Sequence, residues 1–191
     1  MGFLVNEKIK FMIVNLFEIP IYIGKINLKK IKLKNSKLEK TWVSDISSSY
    51  KKNLNEDIQN IIDKNSLSYL LNLIVKLFEE KQQEEFKIVL INIWENIYKN
   101  KDFQEPHIHI RSDFSFIIYK KVEEKGGKTL FFNPSRNFIE PFPNISYMYA
   151  KTFQPFCKEG QIILFPSFLE HMVLKTSNQH TISGNLRFIK Q

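Results

Sequence analysis

The chain holds a single cysteine, Cys157, among its 191 residues, so no disulfide can form within it. A lone thiol suits a reducing compartment. No apolar run approaches the ~18 residues that a bilayer-spanning helix needs. The most apolar early stretch, Phe11 to Ile26, is broken by Asn15, Glu18 and Pro20 and lacks a small-residue cleavage site. The expectation is therefore a soluble, cytoplasmic protein with no membrane association. There is no internal repeat and no Gly/Ser linker, arginine is scarce beside lysine, and there are only four histidines.

What is present argues for a packed fold. A hydrophobic share of 43% and an aromatic share of 14% exclude a disordered chain. The length suits one domain with its own core, here residues 1–191. Within it, 1–85 is read as an N-terminal strand with helical support and 86–191 as a β-rich core. The net charge of +8 gathers at Lys29, Lys30, Lys32, Lys34, Lys37 and Lys40. Such a stripe can neutralise phosphates, but the scarcity of arginine, the usual bidentate partner of phosphate and base, disfavours nucleic acid. A solvated Lys-rich loop is the preferred reading.

Phe11 to Ile26 reads as one or two short strands, with Pro20 at an edge. Two helices follow. The first is capped by Ser44 or Asp45 and carries Ile46, Tyr50, Leu54, Ile58 and Ile61 at helical spacing. The second is capped by Asn65 or Ser66 and runs from Leu67 to Phe78. From Phe86 the pattern turns to strands: 86–98, 114–119, 129–132, 147–153, 161–165, 171–174 and 180–189, separated by Gly, Pro and Asn turns. Many short strands after helices indicate α+β architecture with a jelly-roll-like barrel.

Three of the four histidines sit where metal chemistry would want them. His107-Ile108-His109 puts two imidazoles on one face of a strand, since side chains alternate with period two. Imidazole is the commonest metal ligand. Gly160 through Ser167 reads as a turn glycine, a buried strand and a tight bend that delivers His171 to the barrel mouth. A third ligand from there would complete a facial set with open positions. A lone His-x-His is also compatible with ordinary surface residues, and that alternative stays open on spacing alone.

The ordered motifs carry a resemblance. Phe17-Glu18-Ile19-Pro20, Trp94-Glu95-Asn96, His107-Ile108-His109 before Ser112 to Phe116, Phe131-Phe132-Asn133-Pro134, Gly160 through His171, and Ser183-Gly184-Asn185 occur in sequence. Together they resemble the 2-oxoglutarate and Fe(II)-dependent oxygenase superfamily, and more narrowly a bacterial and phage group within it that has His-x-His. The resemblance implies a double-stranded β-helix. It implies Fe(II) on His107, His109 and His171, and 2-oxoglutarate and O2 as co-substrates for hydroxylation of an unknown primary substrate.

Two departures from the superfamily pattern stand out. The usual His-x-Asp is His-x-His, with Asp113 nearby as a candidate carboxylate or as a turn cap. The arginine that usually receives 2-oxoglutarate falls at Gln179, beside His180. Strand parity puts Arg187 on the same face as Gln179 and Asn185, ~7 Å beyond Asn185. The resemblance thus leaves Arg187, with Asn185, Gln179 or Tyr119, to receive 2-oxoglutarate. The competing reading is a cupin-like metal-binding protein without 2-oxoglutarate turnover. Trp94 is read as core, His180 as structural, Glu170 as a solvated turn residue and Cys157 as a small buried side chain.

Overall fold

Two strands far longer than the usual five or six residues organise the molecule. In the computed structural model, which describes residues 18–34, 37–40, 46–79, 86–142, 144 and 149–190, they are β4 (Phe86–His107) and β9 (His171–Lys190). They pair antiparallel from Phe86↔Lys190 to His107↔His171. The register slips after Leu90, Lys99, Asp102 and Gln104, and Asn100 and Lys101 take φ of 54° and 66°. Bulges of this kind bend a strand and increase its twist. The ladder therefore curls, and its two halves serve different neighbours.

One half pairs with β5 (Phe114–Lys121), then β8 (Gln161–Pro166), then β1 (Tyr22–Lys25). The other half pairs with β6 (Thr129–Phe132), which pairs with β7 (Thr152–Phe153). β3 (Ser47–Ser48) and β2 (Glu39–Lys40) extend the sheet beyond β4. Every pairing between these strands is antiparallel, and helices are few. The hydrogen-bonded path runs from β1 to β2 without closing among the described residues, so the expected barrel is not closed by strand pairing.

Period-two alternation decides which face is which. Phe116, Ile118, Ile162, Leu164, Ile182 and Leu186 point to one face and pack under the helix α3 (Lys64–Glu79), through Leu70, Ile74 and Phe78. Burying each such side chain stabilises the fold by about 1.5–3 kcal/mol. Ile117, Tyr119, Ile163 and Phe165 point to the opposite face and meet Phe131 of β6 and Leu169. The curl of the β4–β9 ladder thus brings the short β6–β7 ladder over the inner face.

Several sequence-based expectations need correction. The first expected helix is not one helix. β3 pairs with Asn96 and Ile97, and only the single turns α1 (Tyr50–Asn53) and α2 (Ile58–Ile61) remain helical. The expected second helix is real, but Asp63 caps it, accepting from the backbone N–H of Asn65 and Ser66 at 3.0 and 3.1 Å. The expected strand 86–98 continues to His107, and 171–174 and 180–189 are one strand. Of 147–153 only Thr152–Phe153 is a strand among the described residues. Ser44, Asp45 and the first part of the early apolar stretch, residues 11–17, lie outside the described residues.

Candidate metal centre

β4 ends on His107 and β9 begins on His171, and the two face each other in register. His109 lies two residues past the end of β4 rather than on it, and its backbone N–H donates to Ser167 O at 2.9 Å. The bend after β8 supplies that anchor. Gly160 enters β8 with φ of 76°, where a side chain would be strained. The strand then delivers Ser167, and His171 follows. The ring centroids stand 4.3 Å apart for His107 and His171, 5.1 Å for His109 and His171, and 5.2 Å for His107 and His109. One ring nitrogen from each residue lies within 4.8 Å of the others.

The hydrogen bonds at the opposite ring nitrogens fix the tautomers. His107 Nδ1 meets Glu105 O at 2.7 Å, His171 Nδ1 meets Leu169 O at 3.0 Å, and His109 Nδ1 meets Asn185 Oδ1 at 2.6 Å. Each partner is a carbonyl oxygen and can only accept, so each Nδ1 carries the proton. Every Nε2 is then a lone pair. His109 Nε2 is buried with no hydrogen-bond partner, and an orphaned buried acceptor of this kind needs an explanation. His107 Nε2 lies 3.4 Å from Gln104 Nε2.

Burial holds all three imidazoles neutral. It is the first cause of the lowered pKa of His107, and of His109, which falls to about 4 with repulsion from His107 adding to it. His171 lies well below the ordinary 6.5, through burial first and then repulsion from its two neighbours. Neutral imidazole is the form that ligates a metal. The walls reinforce burial: Trp94 stacks on His109 at 5.7 Å, and Phe165 meets His171 edge-on at 4.8 Å.

The histidines separate two spaces. On the inner side is a narrow chamber of only about 10 Å3, bordered by polar Asn96, Thr129, Gln179 and Thr181 and by apolar Ile117 and Val173 among others. That is room for about one water, and among the described residues no lysine or arginine lines it. On the outer side is an open cleft of about 530 Å3 that reaches His107 and His109.

The remaining expected site residues divide between these spaces. Gln179 is in the chamber; its Oε1 accepts from Lys128 N at 2.9 Å and its Nε2 is buried without a partner. Asn185 holds His109, with Ser115 Oγ also donating to its Oδ1 at 2.8 Å. Tyr119 is buried in the apolar cluster, its hydroxyl donating to Thr129 Oγ1 at 2.7 Å. Arg187 is exposed at the outer cleft and donates to Arg111 O at 3.0 Å. Asp113 is not in the histidine group, and its Oδ2 accepts from Phe188 N at 2.7 Å. His180 turns away to Glu95 at 3.1 Å, Glu170 pairs with Arg136, Trp94 is 3% exposed and Cys157 is buried.

The sequence reading passed over Gln104, Ser115 and Ser167. Ser167 Oγ is bonded to Ser112 Oγ and Ser115 Oγ at 2.9 and 2.8 Å, and this serine chain ends on Asn185. A signal was available: Gln179, Thr181, Ser183 and Asn185 are all polar at alternate positions of one strand, with the apolar Ile182 and Leu186 on the opposite parity. A polar row on the inner face of a strand marks a lined pocket.

The arrangement defines a class: an antiparallel β protein with a three-histidine group, His171 buried and His107 and His109 half-buried, open to a cleft. Within that class, the resemblance to the 2-oxoglutarate and Fe(II)-dependent oxygenases stands, because residues 92–183 match a family described as "Putative 2OG-Fe(II) oxygenase". Similar solved structures include HygX from Streptomyces hygroscopicus, with nickel, 2-oxoglutarate and hygromycin B bound. It is 8% identical, with 84% of this chain and 74% of that one covered and a TM-score of 0.49. An oxidoreductase of the 2OG-Fe(II) oxygenase family from Burkholderia pseudomallei is 12% identical over 87% of this chain and 67% of that one, with a TM-score of 0.47. A prolyl hydroxylase from Trichoplax adhaerens is 11% identical over 80% and 66%, at 0.48. None of these likenesses carries a substrate across. No curated protein matches the chain in sequence.

Proposed function

We propose that the protein is an Fe(II)-dependent oxygenase of the double-stranded β-helix type, with His107, His109 and His171 as the metal ligands. The observation that carries this reading is three imidazoles that bring one ring nitrogen each within 4.8 Å of the others, with every Nδ1 committed to a carbonyl oxygen and His109 Nε2 buried and orphaned. The donor set fits a divalent first-row ion. Bound there, Fe(II) would supply redox chemistry for activating O2 against a C–H bond. The protein's own part is to hold three neutral imidazoles in place, to leave room for no more than about one water on the chamber side, and to admit a substrate on the cleft side.

2-Oxoglutarate is the co-substrate that the family description implies. The chamber does not fit it in the usual ion-paired mode, since it has about 10 Å3 of space and no cation among the described residues lining it. Gln179 offers a neutral N–H in its place, and Arg187 lies outside. This favours a second reading, in which the metal is bound without 2-oxoglutarate turnover. An anaerobic titration decides between them. A weak visible band near ~500 nm on adding 2-oxoglutarate to the Fe(II) protein would show chelation at open metal positions. Its absence with iron still bound selects the second reading.

A further inference from the structure

The outer cleft has a chemistry of its own. Arg111 and Arg187 stand at its rim, joined where Arg187 Nη2 donates to Arg111 O. Both are exposed, and Arg111 sits in the left-handed region at φ 62°. The chain has only three arginines, and two of them meet here. No carboxylate is among the described residues lining the cleft. The nearest acid along the chain, Asp113, is engaged by the Phe188 backbone. Apolar side chains left in solvent lie beside the arginines: Leu54, Ile108 and Ile110 are 45%, 49% and 73% exposed. The floor is His107, His109 and Trp94. A cleft of about 530 Å3 is of the size that takes a small molecule.

We infer that this cleft seats the primary substrate, and that the substrate is an amphipathic anion: a carboxylate or phosphate held by Arg111 and Arg187, with its apolar part along Leu54, Ile108 and Ile110. The inference rests on the reading of the histidines as an oxygenase metal centre. Guanidinium groups suit oxyanions because their N–H fork pairs bidentately with two oxygens. An uncompensated pair of arginines beside half-exposed aliphatic side chains selects a ligand with both characters and rejects a cation. The apolar part would then point inward along the wall of the cleft to His107 and His109.

The test uses the intrinsic fluorescence of Trp94, which lines the cleft and stacks on His109. The zinc-loaded Trp42→Phe protein, which leaves Trp94 as the sole indole, is titrated with hexanoate, hexyl phosphate, hexanamide and 2-oxoglutarate, with the unaltered chain alongside. Hexanoate and hexyl phosphate should bind about tenfold more tightly than hexanamide, the scale of a charge-assisted hydrogen bond. The preference should vanish in the Arg111→Gln, Arg187→Gln double variant. Equal binding of hexanoate and hexanamide, or a preference that survives the double substitution, overturns the inference. So does 2-oxoglutarate displacing hexanoate in an Arg187-dependent way, because the cleft is then the co-substrate's seat. Repeating the titration without zinc separates the two claims. A chain that takes up no zinc but keeps the anion preference loses the metal reading and retains the anion site.

Discussion

Asn185 Oδ1 lies 2.6 Å from His109 Nδ1 and also accepts from Ser115 Oγ at 2.8 Å. The pair couples the last long strand to the loop that carries the middle histidine. Because the amide oxygen only accepts, it forces the His109 proton onto Nδ1 and aims the Nε2 lone pair at the other two rings. Asn185→Ala should therefore weaken metal affinity by about 10–100-fold, the usual effect of losing the partner that orients a ligating histidine. Competition with a zinc chelator measures it. An unchanged affinity would mean that Asn185 does not orient the ring.

Gly184 has a steric reason to be glycine. A Cβ there would sit 2.4 Å from Phe116 Cζ and 2.8 Å from Asn92 O. The aromatic ring and the backbone carbonyl of the adjacent strands cannot both yield. Gly184→Ala should destabilise the fold by about 1–3 kcal/mol, as overpacking does. Urea denaturation of the metal-free protein reads this directly.

Acid should weaken the metal-free protein through the histidines. Above pH 6.5 they are neutral in both folded and unfolded chains. Below it the unfolded chain takes up protons that the buried imidazoles refuse, so stability falls as the pH drops through 6.5 toward about 4, the folded value for His109. Thermal melting between pH 7.5 and 4.5 should show that loss. His109→Asn should flatten the slope.

Gln179 should matter to the chamber wall. Its Oε1 is the acceptor for Lys128 N. Gln179→Leu should cost about 1–3 kcal/mol, the penalty for leaving a donor unpaired. It should leave metal uptake unchanged, since none of the three histidines contacts Gln179 through a hydrogen bond. A chelator competition run beside the denaturation curve checks both halves.

The sequence made the β-rich core legible because its strands are short apolar runs broken by turn residues, and the histidine group legible because histidine is rare here. It misled at Ile46 to Ile61, where helical spacing of apolar residues ran across Asn55, Glu56 and Asp57. Pairing of Ser47 and Ser48 with β4 outweighed local propensity there, and Leu54 is left 45% exposed. His109 was placed on a strand because period-two alternation does not reveal where a strand stops. Arg187 shares the face of Asn185, yet parity says nothing of depth: Asn185 is buried and Arg187 lies at the rim. The serine chain from Ser112 to Asn185 joins residues far apart in sequence and had no local signature.

The most direct test of the central claim is a cobalt titration of the metal-free protein followed in the visible range, where Co(II) reports its own ligands. The account predicts saturation at about one equivalent per chain with d–d bands of imidazole coordination, and loss of those bands in His171→Ala and His107→Ala variants that still fold. No bands, or bands that persist unchanged in both variants, would contradict a metal centre at His107, His109 and His171.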